Sequence, residues 1–256
     1  SDQVGALETE DLKAFKPDQI SAVSTNAIIG LSVDQLAALD SISISSLTGR
    51  QVGALTIVQV EGLTSAQAEA LTSSQVASMT SDQLAAMSSD DIKTFSTEDI
   101  AAISSRAITG LTPDLLKALS SEKIAAISPK AIPRLTTDQL EALSATQVTA
   151  LTSSQLGALR PTQLAAFDAE DLANLTPDAI KGLSTTAIAS LSTEQIGTLT
   201  TAHLTALTSQ QVKALTSAQV AALSATSVAA FSLEQIPSLS TRAMTGLTAE
   251  QLEKLS

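Results

Sequence analysis

His203 is the sole histidine in 256 residues, and no cysteine stands beside it. A zinc site needs several His, Cys or carboxylate ligands brought together, and a Ser-His-Asp arrangement needs an imidazole for its nucleophile, so one base serves at most one such site. His203 occupies a place in a repeat where Gln is usual, which reads as a tolerated capping substitute. The pairs Glu10/Asp11, Asp90/Asp91 and Glu170/Asp171 have the composition of general acid/base work or calcium binding. The EF-hand spacing, the Gly-rich calcium nonapeptide and the phosphate-binding Gly motifs are absent. Lys13, Lys93, Lys117 and Lys213 read as solvated helix faces. With four Phe and no Trp or Tyr, ring stacking on sugars or single-stranded nucleic acid is disfavoured. The expectation is no catalysis, no cofactor and no metal.

These groups sit on a strict period. From Leu7 to Leu255 every eighth residue is Leu, Ile, Val, Met or Phe, giving 31 complete octads without insertion or deletion. With Leu7 as position 8, position 1 is Ser, Thr or Asp in 28 octads; Glu8, Lys16 and Arg160 are the exceptions. Those residues are preferred N-caps, and position 4, most often Gln, completes the capping-box spacing. Pro17, Pro113, Pro129, Pro161 and Pro177 fall at position 2, the first helical position, where proline forfeits no hydrogen bond. Pro133 and Pro237 fall at position 6 and predict local distortion.

Aliphatic residues at positions 5 and 8 share one helical face and have opposite parity, which excludes a regular half-buried strand. A single continuous helix fails as well, because eight residues at roughly 100° each rotate the apolar face by about 80° per octad. The chain must turn at every octad boundary. Each helix is too short to persist alone, so stability must come from stacking. The predicted fold is all-α: an α-solenoid, or superhelix, of very short capped helices, one per eight-residue repeat. Small residues at position 7, including Gly30, Gly62, Gly110, Gly182 and Gly246, predict close approach at the corners. The domain reading is a single array over residues 1–256, an excerpt of a longer array or a unit that stacks end to end, since neither SDQVGAL nor TAEQLEKLS differs from an interior repeat.

A longer pattern overlies the octad. Phe15, Phe95, Phe167 and Phe231 all occupy position 8, and each precedes two octads of which the second carries Ala27, Ala107, Ala179 or Ala243 at position 4 and Gly at position 7. Duplication of a larger block with loss of whole octads explains the cassette better than a repeated lateral contact.

The formal net charge is −12, yet 22 of 26 acidic residues occupy positions 1, 3 and 4. There they sit in helical first turns, which favour anions. The balance disfavours nucleic acid, and no apolar run approaches the roughly 18 residues of a membrane span. The run LTTDQLEALSATQVTALTSSQLGAL, residues 135–159, resembles the LTxxQLxAL tracts of very large bacterial secreted and cell-surface proteins, and the likeness extends over the whole chain. The resemblance implies an extracellular or surface location and a structural role as stalk, spacer or self-assembling filament, with the chain itself as principal partner. The alternative is a binding solenoid that offers a groove or the cassette surface to another protein. The fragment Leu111-Thr-Pro-Asp is similar to the opening of transcription-activator-like effector repeats, but the base-reading pair is missing and nothing carries over.

Overall fold

The computed structural model describes residues 8–255; Leu7 and the opening SDQVGAL lie outside them. Among the described residues every regular element is helical. Contacts divide the chain into two units, one ending at Leu135 and the other beginning at Thr136.

In the first unit helices of four to six residues follow one another from Thr9–Lys13 to Ser121–Ala126, one to an octad except in octad 104–111, which holds only the 3-10 segment Ile108–Gly110. Their starts are set locally. The position 1 side chain accepts from the position 4 N–H, as Thr48 Oγ1 does from Gln51 at 3.2 Å, and Gln51 Oε1 accepts from the Thr48 N–H at 2.6 Å. Where the cap residue is Lys16, whose side chain cannot accept, Gln19 Oε1 still takes the cap N–H at 2.8 Å. Each helix ends because positions 8 and 1 are both extended: Leu47 has φ −58°, ψ 141° and Thr48 φ −71°, ψ 153°. Two such residues turn the chain without a left-handed conformation, and no described residue has positive φ. Any L-residue therefore fits the corner.

Positions 5 and 8 form the aliphatic core. Leu84, Ile92, Ile100 and Ile108 at position 5, and Met79, Met87 and Phe95 at position 8, are buried. Successive turns are linked at long range: helix Pro17–Ala22 packs on Ser41–Ser46, and Ser73–Val76 on Thr97–Ala102, in each case three octads on. The side-chain amide of Gln51 bonds the carbonyls of Ile20 and Val23, 31 and 28 residues earlier. A turn of the solenoid is thus about 28 residues, or three and a half octads, and the helices of one turn straddle the joints of the turn before.

The second unit repeats this construction from Thr137–Glu141 to Ala249–Leu255. Helix Thr185–Ser190 packs on Ser209–Ala214, and Gln211 bonds Ile180 and Leu183 at the same 31- and 28-residue separations.

Four of the five position 2 prolines behave as expected, whereas Pro129 opens no α-helix, its octad holding only the 3-10 segment Ile132–Arg134. Pro17, Pro113, Pro161 and Pro177 open their helices. At Pro133 and Pro237 the octad loosens to the 3-10 segments Ile132–Arg134 and Ile236–Ser238, because proline lacks the N–H that an α-helical bond would use. A third 3-10 segment, Ile108–Gly110, contains no proline. There Gly110 closes an i→i−3 bond to Ala107 at 2.8 Å.

Candidate functional site

Position 4 is the chemically richest place in the octad, because it is polar and buried. Gln51, Gln59, Gln67, Gln75 and Gln83 in the first unit, and Gln211, Gln219 and Gln235 in the second, are all buried. Each uses its amide twice. Oε1 accepts from the N-cap N–H of its own octad, and Nε2 donates to the position 5 and position 8 carbonyls of the turn before. For Gln75 the acceptors are Ile44 and Leu47, both at 2.7 Å; for Gln219 they are Ile188 and Leu191, both at 2.8 Å. The capping box anticipates only the first bond. The second makes a seam that ties turn to turn and satisfies buried carbonyls whose desolvation otherwise costs stability.

Departures from Gln are read by what they retain. His203 retains both functions: Nδ1 takes the Thr200 N–H at 3.2 Å, and Nε2 lies 2.7 Å from the Leu175 carbonyl, 28 residues earlier. It is therefore a capping substitute, as expected, and a seam residue besides. Lys123 keeps the donor alone, through a bond from its ammonium to the Lys93 carbonyl. Asp91 and Asp99 invert the seam. One carboxylate oxygen takes the hydroxyl of its own cap at 2.6 Å, and the other accepts from Ser65 or Ser73 in the preceding turn, at 2.9 and 2.8 Å. Asp171 has Ala145 where those serines stand. Burial pushes its carboxyl above the ordinary range, a backbone bond from Asp168 opposes this, and the charges of Asp168 and Glu170 add to the rise.

In the cassettes Ala27, Ala107, Ala179 and Ala243 are buried but too short to reach across the seam. Glycine at position 7 answers this by allowing direct backbone approach. A Cβ on Gly110, Gly182 or Gly246 would overlap the carbonyl oxygen of Ser81, Ser153 or Ser217, each 29 residues earlier. Phe95, Phe167 and Phe231 are buried, and Phe15 is half-buried. The Phe167 carbonyl accepts from Gln195 at 2.7 Å, so a cassette Phe takes the same seam bond as any other position 8 residue.

The acidic pairs hold the first-turn places expected of them: Glu10/Asp11, Asp90/Asp91 and Glu170/Asp171 all lie in helical first turns. Asp40 is held below its ordinary range chiefly by the Ser43 backbone N–H that it caps. Lys13, Lys93 and Lys181 form exposed ion pairs with Glu10, Asp90 and Asp178. Among the described residues no group of three or more His, Cys, Asp or Glu is placed to hold a metal ion. A shallow depression of about 540 Å³ in the second unit is lined by Ser153, Ser154, Gly157, Asp178, Lys181 and Gly182. The Lys181 hydrogen bond, then its charge, holds the Asp178 carboxyl below the usual range. No described helix is long and apolar enough to cross a membrane.

No curated protein matches the chain. The sequence model of the ALTTAQ repeat matches residues 4–41, 116–153, 132–169, 164–201 and 197–225, together more than half the chain. The first four matches begin whole octads apart. Residues 214–219, Ala-Leu-Thr-Ser-Ala-Gln, show what the six letters of that repeat do: small corner residue, core residue, cap, two outward residues and seam glutamine. With register, seam and profile in agreement, the chain belongs to the ALTTAQ repeat family.

Proposed function

We propose that this protein is a structural repeat protein of bacterial origin, exported to the cell surface or beyond, where it acts as a stalk, spacer or filament-forming segment without catalysis. The observation that carries this reading is the use made of its polar groups. The buried amides of position 4 and both nitrogens of His203 are spent on joints between turns. The carboxylates of Glu10, Asp90 and Asp178 are exposed and paired with lysines on their own helices. A chain that commits its functional groups to holding itself together is suited to presenting length.

A second reading, a binding solenoid, draws on one patch in the first unit. Ile29, Ile57 and Val58 are exposed large apolar residues, and Val58 is 62% exposed. They belong to octads 24–31 and 56–63, which the Gln59 amide ties together through Ile28 and Leu31. Exposed apolar residues gathered in this way are suited to contact with another protein.

Electron microscopy with sedimentation velocity over a range of concentrations separates the two. Uniform fibres or stable elongated rods are the expected result. A compact particle that becomes a stoichiometric complex with one partner, and loses it on Val58→Asp, overturns the structural reading in favour of the second. Fractionation of the source cells with the chain confined to the cytoplasm removes the proposed location.

A further inference from the structure

The hydrogen bonds around His203 suit one protonation state only. We propose that His203 makes the joint between octads 168–175 and 200–207 sensitive to acid, where the glutamine joints of the same unit are indifferent to it. The residue is 3% exposed. The Leu175 carbonyl can only accept and the Thr200 N–H can only donate, so the neutral ring carries its proton on Nε2 and presents the Nδ1 lone pair to Thr200. A proton added at Nδ1 leaves the bond to Leu175 intact and sets an N–H against an N–H at Thr200. A buried ring N–H and the part-buried Thr200 N–H then face each other without an acceptor, and a positive charge enters the first turn of helix Thr201–Ala206, where the backbone disfavours cations. Gln211 and Gln219 hold the equivalent joints with an amide that does not titrate.

None of the ion pairs among the described residues involves the ring. Helix Pro177–Ile180, packed on the histidine's helix, carries Asp178, which is bound to Lys181 at 2.7 Å; helix Ala225–Ala229, also packed on it, carries no ionisable group. Octad 168–175, which supplies Leu175, carries Asp168, Glu170 and Asp171, the first two exposed and the third half-buried. Octad 232–239, whose Gln235 bonds Leu204 and Leu207, carries Glu234, and the chain neighbours carry Glu194 and Lys213; all three are exposed. The ring's own hydrogen bonds go to Thr200 and Leu175.

The full chain and its H203Q variant, which restores the commonest residue of the position, are compared between about pH 8 and pH 5. Thermal midpoint and the hydrogen exchange of the Thr200 amide are read at each pH. The two proteins are expected to agree at the alkaline end. On acidification the wild type should melt progressively below the variant, and its Thr200 amide should exchange at least about tenfold faster than in H203Q, the factor for loss of one such bond. Parallel midpoints with equal protection at Thr200 overturn the proposal. Should H203Q fail to fold, the ring nitrogen shifts of the wild type decide. A ring that takes up a proton while Thr200 stays protected, or one that stays neutral at pH 5 with no loss of stability, overturns it as well.

Discussion

A single glutamine at position 4 answers two demands that most proteins assign to separate residues. Its oxygen closes the capping box of its own helix, and its nitrogen closes the carbonyls of the preceding turn. Gln75→Ala should cost about 1–3 kcal/mol for the lost bonds. Gln75→Glu should cost about 3 kcal/mol or more, because it keeps the cap while setting a buried carboxylate against the Ile44 and Leu47 carbonyls. Acid should narrow that difference, since a protonated carboxyl donates again; denaturant titration at two pH values measures both effects. The seam was half-legible in the sequence. The cap role of Gln and of His203 followed from spacing, whereas the donor role depends on residues 28 and 31 positions away. One local signal pointed to it: position 4 is never Glu in 31 octads, although Glu serves a capping box as well as Gln does. Asp171 offers a test with a sign. Its carboxyl is raised by burial, so holding it ionised opposes folding above its folded value, and the penalty fades as pH falls through that value. Asp171→Gln, which by the rule of its neighbours reaches the Leu140 and Leu143 carbonyls, should raise the melting temperature near pH 7, with the advantage shrinking on acidification.

At the scale of the element, α-helices of four to seven residues persist because each end is prescribed. The start was readable from caps and prolines, since those interactions span three residues. The stop was readable only as a necessity: the chain had to turn, but the paired extended residues at positions 8 and 1 carry the compositions of core and cap and add no stop signal to them. The glycines show the same division. Their small size at position 7 predicted close approach, while the identity of what they approach 29 residues earlier, a carbonyl for Gly110, Gly182 and Gly246 and the Val33 side chain for Gly62, is a property of the stacked turn. Gly182→Ala should therefore destabilise by about 1–3 kcal/mol, because the new Cβ overlaps the Ser153 carbonyl. Gly197→Ala should gain about 0.5 kcal/mol, since its Cβ stands 3.4 Å from the Ala222 oxygen and the helix prefers alanine. Thermal melts of the two variants side by side check the contrast.

Across each unit, three and a half octads to the turn means that no octad sits squarely above another. Phe15 and Phe95, 80 residues apart, are about 2.9 turns apart, and Phe167 and Phe231, 64 apart, about 2.3 turns at 28 residues per turn. Register is carried by the octad alone, so a whole octad inserted between Leu215 and Thr216 should leave helical circular dichroism per residue unchanged, with a comparable melting temperature. Four inserted residues should lower both, because Gln219 and Gln235 lose their acceptors across the insertion. The number of octads per turn could not be read from the sequence, since eight-residue logic is the same for any closure.

Except at Asp91 and Asp99, the seam bonds described here run one way: a later amide gives to an earlier carbonyl. The chain is thus built like a ratchet. As it leaves the ribosome N-terminus first, the acceptors of each turn emerge before the donors that will close on them. Each new turn finds the acceptors it closes on already standing.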